Sequence, residues 1–408
     1  MDDRYYWLWI QHVFKPAGVI KPLYEKYGSA KAFYEAGDSE WKEFFGSRRP
    51  AAFKRCSSKS PDDFSETVDF CEKHGLKILT PESEYYPKNL LNIKNFPAAL
   101  FVRGDYKCLN EGVPFGVIGS RTPCVYGENA AKDIVATLAE NGALIVSGGA
   151  LGIDSIAHKA ALEAGGKTVL VMGCGHGYDY LRENAELRKA VTKSGAVISE
   201  YPPFTPVDQG TFPDRNRIIS GMSKAVVIVE AAEYSGTFST ANHAVRQDRE
   251  IYVLPGDIDS GNFAGSNRLI TEGAVAVFSG DDILVKCNLL KKARRFKGKK
   301  TGETFRNIDE KSKEGKSCVK KLKTKKSAES DKTEEKIQEK NENVIKNLPA
   351  GISKNAEIVY NIMSDGINEL DEIKRKSELE VRHILGALTE LEILGFAEAY
   401  APNCYRIR

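Results

Sequence analysis

The segment FGVIGSRTPCVYGENAAKDIVATLAENGALIVSGGALGID, residues 115–154, sets the architecture of the chain. Its two short apolar runs, 115–118 and 143–146, have the composition of buried strands, and each ends in a glycine-bearing turn before a helical pattern. Such a β-α-β-α series predicts a parallel sheet with right-handed crossovers, so both turns emerge at the same carboxyl edge. More strands alternate with helical patterns further on, which predicts a doubly wound α/β sheet. They are expected at 168–172, 196–199, 225–229, 251–253 and 275–278.

The two glycine turns have the composition of an anion-binding site. Glycine lets backbone N–H groups approach an anion, a helix N-terminus favours negative charge, and Arg121 adds a planar fork that suits phosphate. We expect Asp154 to cap the second helix. The alternative is that Gly119, Gly148 and Gly152 only make tight turns. Neither GxxxxGK[ST] nor the full GxGxxG pattern is present, which disfavours an ordinary ATPase or NAD enzyme.

A second candidate segment is the loop 201–216, which is rich in proline, glycine and aromatic residues. At its end Arg215, Asn216 and Arg217 come just before an apolar run, which predicts a position near a helix N-terminus at the same edge as Arg121. There they could take phosphate oxygens. Aromatic side chains nearby could stack on bases. These are Phe212, Tyr201, Tyr178 and Tyr180. The alternative is that the arginines form structural salt bridges with Glu200 or Glu230.

Composition limits the class of protein. With 408 residues, 41% of them hydrophobic, the chain is expected to form two or three domains. No run of eighteen apolar residues occurs and the first residues are acidic and aromatic, so we expect a cytoplasmic protein with no membrane segment. Eight cysteines without a CxxC pair suggest neither a zinc site nor disulfides. Residues 115–284 hold 14 basic and 20 acidic side chains, so any anion site there must be local.

Seven motifs in order resemble those of the DprA/Smf family. They are GSR at 119–121, SGGALGID at 147–154, AHKAALEAGGKTVLVMGCG at 157–175, SEYPP at 199–203, FPDRNRII at 212–219, VEAAEYSGT at 229–237 and VLPG at 253–256. The resemblance is dense over residues 77–284. It implies an extended Rossmann-like fold that binds single-stranded DNA, forms a homodimer and helps load a RecA-type recombinase during natural transformation. It implies no catalysis, no cofactor and no metal.

The resemblance also carries a set of DNA-binding residues to this chain. They are Gly119, Ser120, Arg121, Ser147, Gly148, Gly149, Arg215, Asn216, Arg217, Ser235 and Gly236. Two positions depart from the family pattern, because Asp214 and Leu151 stand where relatives usually have a basic residue. The departure implies weaker DNA binding, or compensation by other cations. The candidates for compensation are Lys159, Lys167, Arg246 and Arg268.

The regions around the central sheet differ in composition. Residues 1–75 read as small helices, similar to a SAM or helix-hairpin-helix domain, and we expect their aromatic side chains to form core. Residues 76–284 form the extended Rossmann-like DNA-binding domain. Residues 285–348 are rich in Lys, Glu, Ser and Thr, which predicts a disordered charged linker. Residues 349–408 predict three helices and a hairpin, a winged-helix-like domain that favours an interaction role.

Two other functions are compatible with glycine turns of this kind. One is a phosphoribohydrolase-like enzyme that cleaves nucleoside monophosphates with Glu200 or Glu230 as acid or nucleophile. That family carries PGGxGTxxE, whereas this chain reads EAAEYSGTFST in the corresponding region. The other is a nucleotide-sensing module, which would bind mononucleotides more tightly than oligonucleotides.

Overall fold

The computed structural model describes two parts of the chain. The described residues are 2–208, 210–290, 352–364, 370–377, 379, 381–393, 396–401 and 404–407. They belong to two compact units, within residues 1–303 and within residues 304–408. Most of the predicted linker, from residue 291 to 348, lies outside the described residues, and the boundaries of the four predicted segments stay predictions.

A nine-stranded sheet forms the centre of the first unit. Its strands are β1 (Lys77–Leu79), β2 (Leu100–Gly104), β3 (Val113–Gly119), β4 (Ala143–Ser147), β5 (Lys167–Met172), β6 (Ala196–Ser199), β7 (Ala225–Val229), β8 (Glu250–Val253) and β9 (Val275–Ala276). The helices of this unit are α1 (Asp3–Phe14), α2 (Lys21–Tyr27), α3 (Ala30–Phe45), α4 (Pro50–Cys56), α5 (Ser65–Lys73), α6 (Val125–Glu140), α7 (Ile153–Glu163), α8 (Ala185–Ser194), α9 (Thr211–Met222), α10 (Thr237–Arg246), α11 (Ala264–Thr271) and α12 (Gly280–Lys286). The predicted α/β sheet is confirmed, with strand positions shifted by a few residues at most.

The order of the strands fixes the place of the functional site. The sheet runs β1-β2-β6-β5-β4-β3-β7-β8-β9, and every neighbouring pair from β6 to β9 is parallel. The segment β5-β4-β3-β7-β8-β9 therefore has the Rossmann strand order, which reverses between β3 and β7. In open parallel sheets ligands bind beyond the carboxyl ends of the strands at this reversal.

Helices cover both faces of the sheet. On one face α9 and α10 place Ile218, Met222 and Ala244 in a buried cluster with Ile118 of β3 and Val146 of β4. On the other face α6, α7 and α12 form a second buried cluster with the alternate side chains of the same strands. Because each central strand is covered twice, its sequence is a nearly continuous apolar run.

The amino-terminal helices join the first of these clusters. The predicted packing role of their aromatic side chains is confirmed, because Trp7 and Trp9 are fully buried and Tyr6 and Phe14 are nearly so. Helix α3 is interrupted at Gly37, where φ is 78° and the backbone leaves the helical conformation. Only glycine adopts this left-handed conformation readily, so the interruption follows from this residue.

The second unit contains three helices and a hairpin among its described residues. They are α13 (Lys354–Ser364), α14 (Leu370–Ser377), α15 (Val381–Ile393), β10 (Ala397–Ala401) and β11 (Cys404–Ile407), with the two strands antiparallel. The order matches the predicted one, while the winged-helix assignment stays a prediction. In the described parts of both units, no helix combines the length and the apolar character needed to cross a membrane.

A buried histidine on α7 gives the first unit a predicted sensitivity to acid. The His158 side chain is fully buried, its Nδ1 lies 2.7 Å from Thr168 Oγ1, and its Nε2 has no hydrogen-bond partner. Burial, and to a lesser extent the charge of Arg215, lowers the pKa of His158 to about 3. The unfolded chain takes up this proton below its ordinary pKa of about 6.5, but the folded chain does not. Stability is therefore lost as the pH falls from about 6.5 toward 3.

We expect this histidine alone to remove about 2 kcal/mol of stability between pH 7 and pH 5. The measurement is urea unfolding at both pH values for the wild type and for His158→Gln, whose side chain does not titrate. The variant should be less stable at pH 7 but should lose about 2 kcal/mol less on acidification. An equal loss in both proteins would mean that His158 is not responsible.

Candidate nucleic-acid interface

A cleft of about 470 Å³ opens at the carboxyl edge of the sheet, where the strand order reverses. The end of β3, the turn before α7, the exposed side of α9 and the start of α10 line it. Six of the predicted site residues contribute to its wall. They are Gly119, Arg121, Arg215, Asn216, Ser235 and Gly236.

Arg121 is the free cation of the cleft. It lies in the turn between β3 and α6, its side chain is exposed, and no described residue forms a hydrogen bond or ion pair with it. The turn itself is fixed, because Ser120 donates its backbone N–H to Glu230 O at 2.8 Å and accepts from the backbone N–H of Ile153 at 3.0 Å. Gly119 is required here, since a Cβ would lie 1.9 Å from Val229 O. A rigid backbone thus presents a guanidinium with unused donors.

Internal carboxylates accept from some of the backbone N–H groups at the two glycine turns, which corrects part of the predicted cradle. Asp154 accepts from the N–H of Gly148 at 3.1 Å and of Ala150 at 3.4 Å. The buried carboxylate of Glu230 accepts from the N–H of Cys124 at the start of α6, at 2.9 and 3.2 Å. The N–H groups of Gly148, Ala150 and Cys124 are therefore already used within the protein.

Asp154 also does not cap its helix. The residue before α7 is Gly152, with φ of 79°, and Asp154 lies inside the first turn with its carboxylate directed back to the glycine turn. Burial raises the pKa of Asp154, against the opposing effects of Arg215 and the two backbone donors. The side chain thus holds the SGG turn in shape rather than starting the helix.

Arg215 lines the cleft but is held by backbone carbonyls. Its Nη1 donates to Gly148 O at 2.6 Å and to Val171 O, and its Nε donates to Asn216 Oδ1 at 3.1 Å. The side chain is 6% exposed, and burial lowers the pKa of the guanidinium, while Asp154 raises it. A Cβ at Gly148 would lie within 2.7 Å of this guanidinium, so glycine is needed for the contact. Arg215 therefore supplies positive potential from inside the wall.

Arg217 does not line the cleft, and its side chain has an internal partner in place of the predicted phosphate. Its side chain is fully buried and its Nη2 donates to Glu200 Oε1 at 2.5 Å. Nε and Nη1 of Arg217 are buried without a hydrogen-bond partner. The reason is the start of α9, which begins at Thr211 and not after the arginines. Residues two apart on a helix point to opposite sides, so Arg215 and Arg217 cannot share a site.

The remaining predicted residues lie around the cleft or away from it. Ser147 is buried, with its hydroxyl donating to Val117 O at 2.6 Å, and Gly149 accepts from Asn184 Nδ2 at 3.0 Å. Lys159 is exposed on α7 and outside the cleft wall. Lys167 starts β5, at the opposite edge of the sheet, and pairs with Asp105 at 3.2 Å and Glu111 at 2.6 Å. Lys167 is therefore too far away to compensate at this site.

The start of α10 forms the open side of the cleft. The N-cap residue Gly236 is exposed, a Cβ there would meet nothing within 4 Å, and Ser235 Oγ accepts from the backbone N–H of Thr237 at 3.2 Å. Ser239 and Thr240 also line the cleft, and the sequence analysis did not predict them as site residues. Helical spacing could have indicated them, because residues three and four positions after Gly236 lie on the same side of a helix as Gly236.

One predicted aromatic face is present in the cleft. Phe212 is half-buried in the wall, with its ring 5.4 Å from that of Tyr180. Tyr201 is 4% exposed and donates its hydroxyl to Thr211 O at 3.2 Å, so it is unavailable for bases. Tyr178 is exposed but lies outside the cleft wall.

Comparison with known proteins gives a consistent set of relatives. The family model described as DNA recombination-mediator protein A matches residues 77–288. DNA processing protein DprA of Bacillus subtilis is 37% identical over 211 residues, which cover 52% of this chain and 71% of that protein. Protein Smf of Escherichia coli is 41% identical over 208 residues, covering 51% and 55% respectively. The crystal structure of DprA from Streptococcus pneumoniae matches with a TM-score of 0.59 and 31% identity, over 68% of this chain and 97% of that one.

Proposed function

The chain belongs to the DNA recombination-mediator protein A family, also called DprA/Smf, and from that membership we propose that it binds single-stranded DNA without catalysing a reaction. The observation that supports this most directly is the cleft at the strand-order reversal. There the exposed Arg121, the buried Arg215 and the start of α10 line one cleft. The two guanidinium charges and the positive end of the helix dipole favour a phosphate.

The shape and chemistry of the cleft favour a single strand. Phe212 offers an aromatic face on which an unstacked base can lie, and the hydroxyl of Ser239 and the amide of Asn216 can hydrogen-bond to the edges of that base. A duplex hides these base faces. Acidic residues outnumber basic ones over residues 115–284, so the positive charge that holds a strand must be local.

The enzyme alternative is disfavoured by the position of its two carboxylates. Glu200 is buried in the pair with Arg217, and burial raises its pKa. Glu230 is 1% exposed and holds the turn before α6. Neither belongs to the cleft wall. A bound nucleotide would therefore have neither carboxylate as acid or nucleophile.

The wider role follows from family membership. We infer that the chain acts in DNA processing during natural transformation, as a cytoplasmic homodimer that delivers single strands to a RecA-type recombinase. In this proposal the amino-terminal helices form a SAM-like domain, and the carboxyl-terminal unit is a winged-helix-like interaction module joined through a charged linker.

The test is a binding titration of single-stranded and double-stranded oligonucleotides at two salt concentrations. We expect the single strand to bind more tightly, with affinity falling linearly in log salt because each phosphate contact releases counterions. A parallel incubation with nucleoside monophosphates should yield no free base. Preferential duplex binding, or release of free base, would contradict the proposal.

A further inference from the structure

A second cavity, of about 370 Å³, lies at the opposite edge of the sheet. Its wall includes Val113 and Pro114 at the start of β3 and Lys224 directly before β7. Since β3 is seven residues long, this edge lies about 20 Å from the cleft. We refer to this cavity, lined by Lys88, Asn110, Val113, Lys224, Arg249 and their neighbours, as the amino-edge cavity.

All charged side chains that line the amino-edge cavity are positive. Lys88, Lys224 and Arg249 line it, and none of the described residues in its wall is acidic. The three cations come from three different connections, before β2, before β7 and before β8. None of them forms an ion pair with a described residue, and Lys88 and Lys224 are exposed. This contrasts with Lys167 on the same edge, which two carboxylates neutralise.

Arg249 is fixed in the wall with part of its donor capacity unused. Its Nη2 donates to Asn89 O at 3.1 Å and to Gly221 O at 3.0 Å, which joins the segment before β2 to the end of α9. Its Nε is enclosed by protein without a hydrogen-bond partner. Burial lowers the pKa of the guanidinium, with a smaller opposing effect of Asp248. Burying part of a cation that no carboxylate pairs with costs folding free energy, and a bound anion would offset this cost.

We propose that the amino-edge cavity binds a phosphate ester of nucleotide size. The charges of Lys88, Lys224 and Arg249 in one wall suit a doubly charged oxyanion, and an arginine held in a fixed plane suits the phosphate geometry. The volume exceeds that of one phosphate, and the apolar side chains of Leu109 and Met222 supply a surface for the rest of the ligand. Two sources share this chemistry, a free nucleotide and a nucleotide unit within a DNA strand.

The test uses the full chain with Lys88→Gln and Lys224→Gln combined, because both side chains are exposed and Arg249 is left to hold the fold. The matched control is Lys132→Gln with Lys193→Gln, two exposed lysines that line neither cavity. The probes are thymidine monophosphate and a long oligothymidylate, each titrated at two salt concentrations, with the Arg121→Gln protein as a reference for the cleft.

If the ligand is a free nucleotide, the double variant Lys88→Gln, Lys224→Gln (the amino-edge variant) should bind thymidine monophosphate about tenfold more weakly, while the control and Arg121→Gln are unchanged. If the ligand is a DNA strand, the salt slope of oligothymidylate binding should be lower by about 1.4 in the amino-edge variant, since each contact with a single strand contributes about 0.7. Both results support the proposal and identify the source. If the amino-edge variant matches its control with both probes, the proposal is wrong. Failure of the cleft as a DNA site would instead show in the Arg121→Gln reference, so the two failures are distinguishable.

Discussion

Replacing Arg217 by methionine is expected to lower the free energy of unfolding of the first unit by about 3–5 kcal/mol. The substitution leaves the Glu200 carboxylate buried, at 2% exposure, without the guanidinium that faces it at 2.5 Å. Removing one partner of a buried pair has a large effect because the other charge stays desolvated and unpaired. The measurement is equilibrium denaturation at pH 7.

The design includes two comparisons. In the double variant, Arg217→Met with Glu200→Leu, both members of the pair are removed, so neither charge is left buried without its partner and most of the lost stability should return. Arg121→Met, an exposed arginine of the same domain, should change stability by less than about 0.5 kcal/mol. If Arg217→Met were nearly neutral for stability yet weakened DNA binding, the side chain would have to contact DNA, and the structural role assigned to it would be wrong.

The sheet and its two glycine turns could be predicted because their signals are local. Each strand is a buried apolar run, each turn contains the glycines that its backbone needs, and the right-handed crossover rule places the turns Gly119 and Gly148 at one edge. The strand order could not be predicted in the same way. Pairing of β3 with β7 joins residues about a hundred positions apart in sequence, and no periodicity within either strand specifies the partner.

The predictions that differ from the structure at the site share one physical cause. Internal carboxylates compete with an external anion for the same hydrogen-bond donors. Asp154 and Glu230 take the backbone donors that glycine turns expose, and Glu200 takes Arg217. Composition alone does not tell whether a carboxylate lies beside a donor or far from it. The start of α9 four residues before Arg215 then decides which arginine faces the cleft, whereas the sequence pattern predicted a helix that begins after the arginines.

The largest effect on function is expected at Arg121. Its guanidinium is exposed, bound to no described residue, and carried by a turn that is fixed through Ser120 and Gly119. A hydrogen bond to a charged group contributes about 1.5–3 kcal/mol, so Arg121→Ala should weaken single-strand binding by about tenfold to a hundredfold. The salt slope should fall by about 0.7, because one phosphate contact is lost.

Arg121→Lys separates charge from geometry. A lysine keeps the counterion release but cannot offer two parallel donors to one phosphate, so the salt slope should stay near that of the wild type while the affinity still falls. Arg49→Ala, which removes an exposed arginine outside the cleft wall, is the matched control and should bind like the wild type. All proteins should have equal thermal stability. If Arg121→Ala and Arg49→Ala bind a mixed-sequence strand with the same affinity and the same salt slope, the strand does not pass through the cleft at the reversal of strand order, and the DNA site must be sought elsewhere on the sheet.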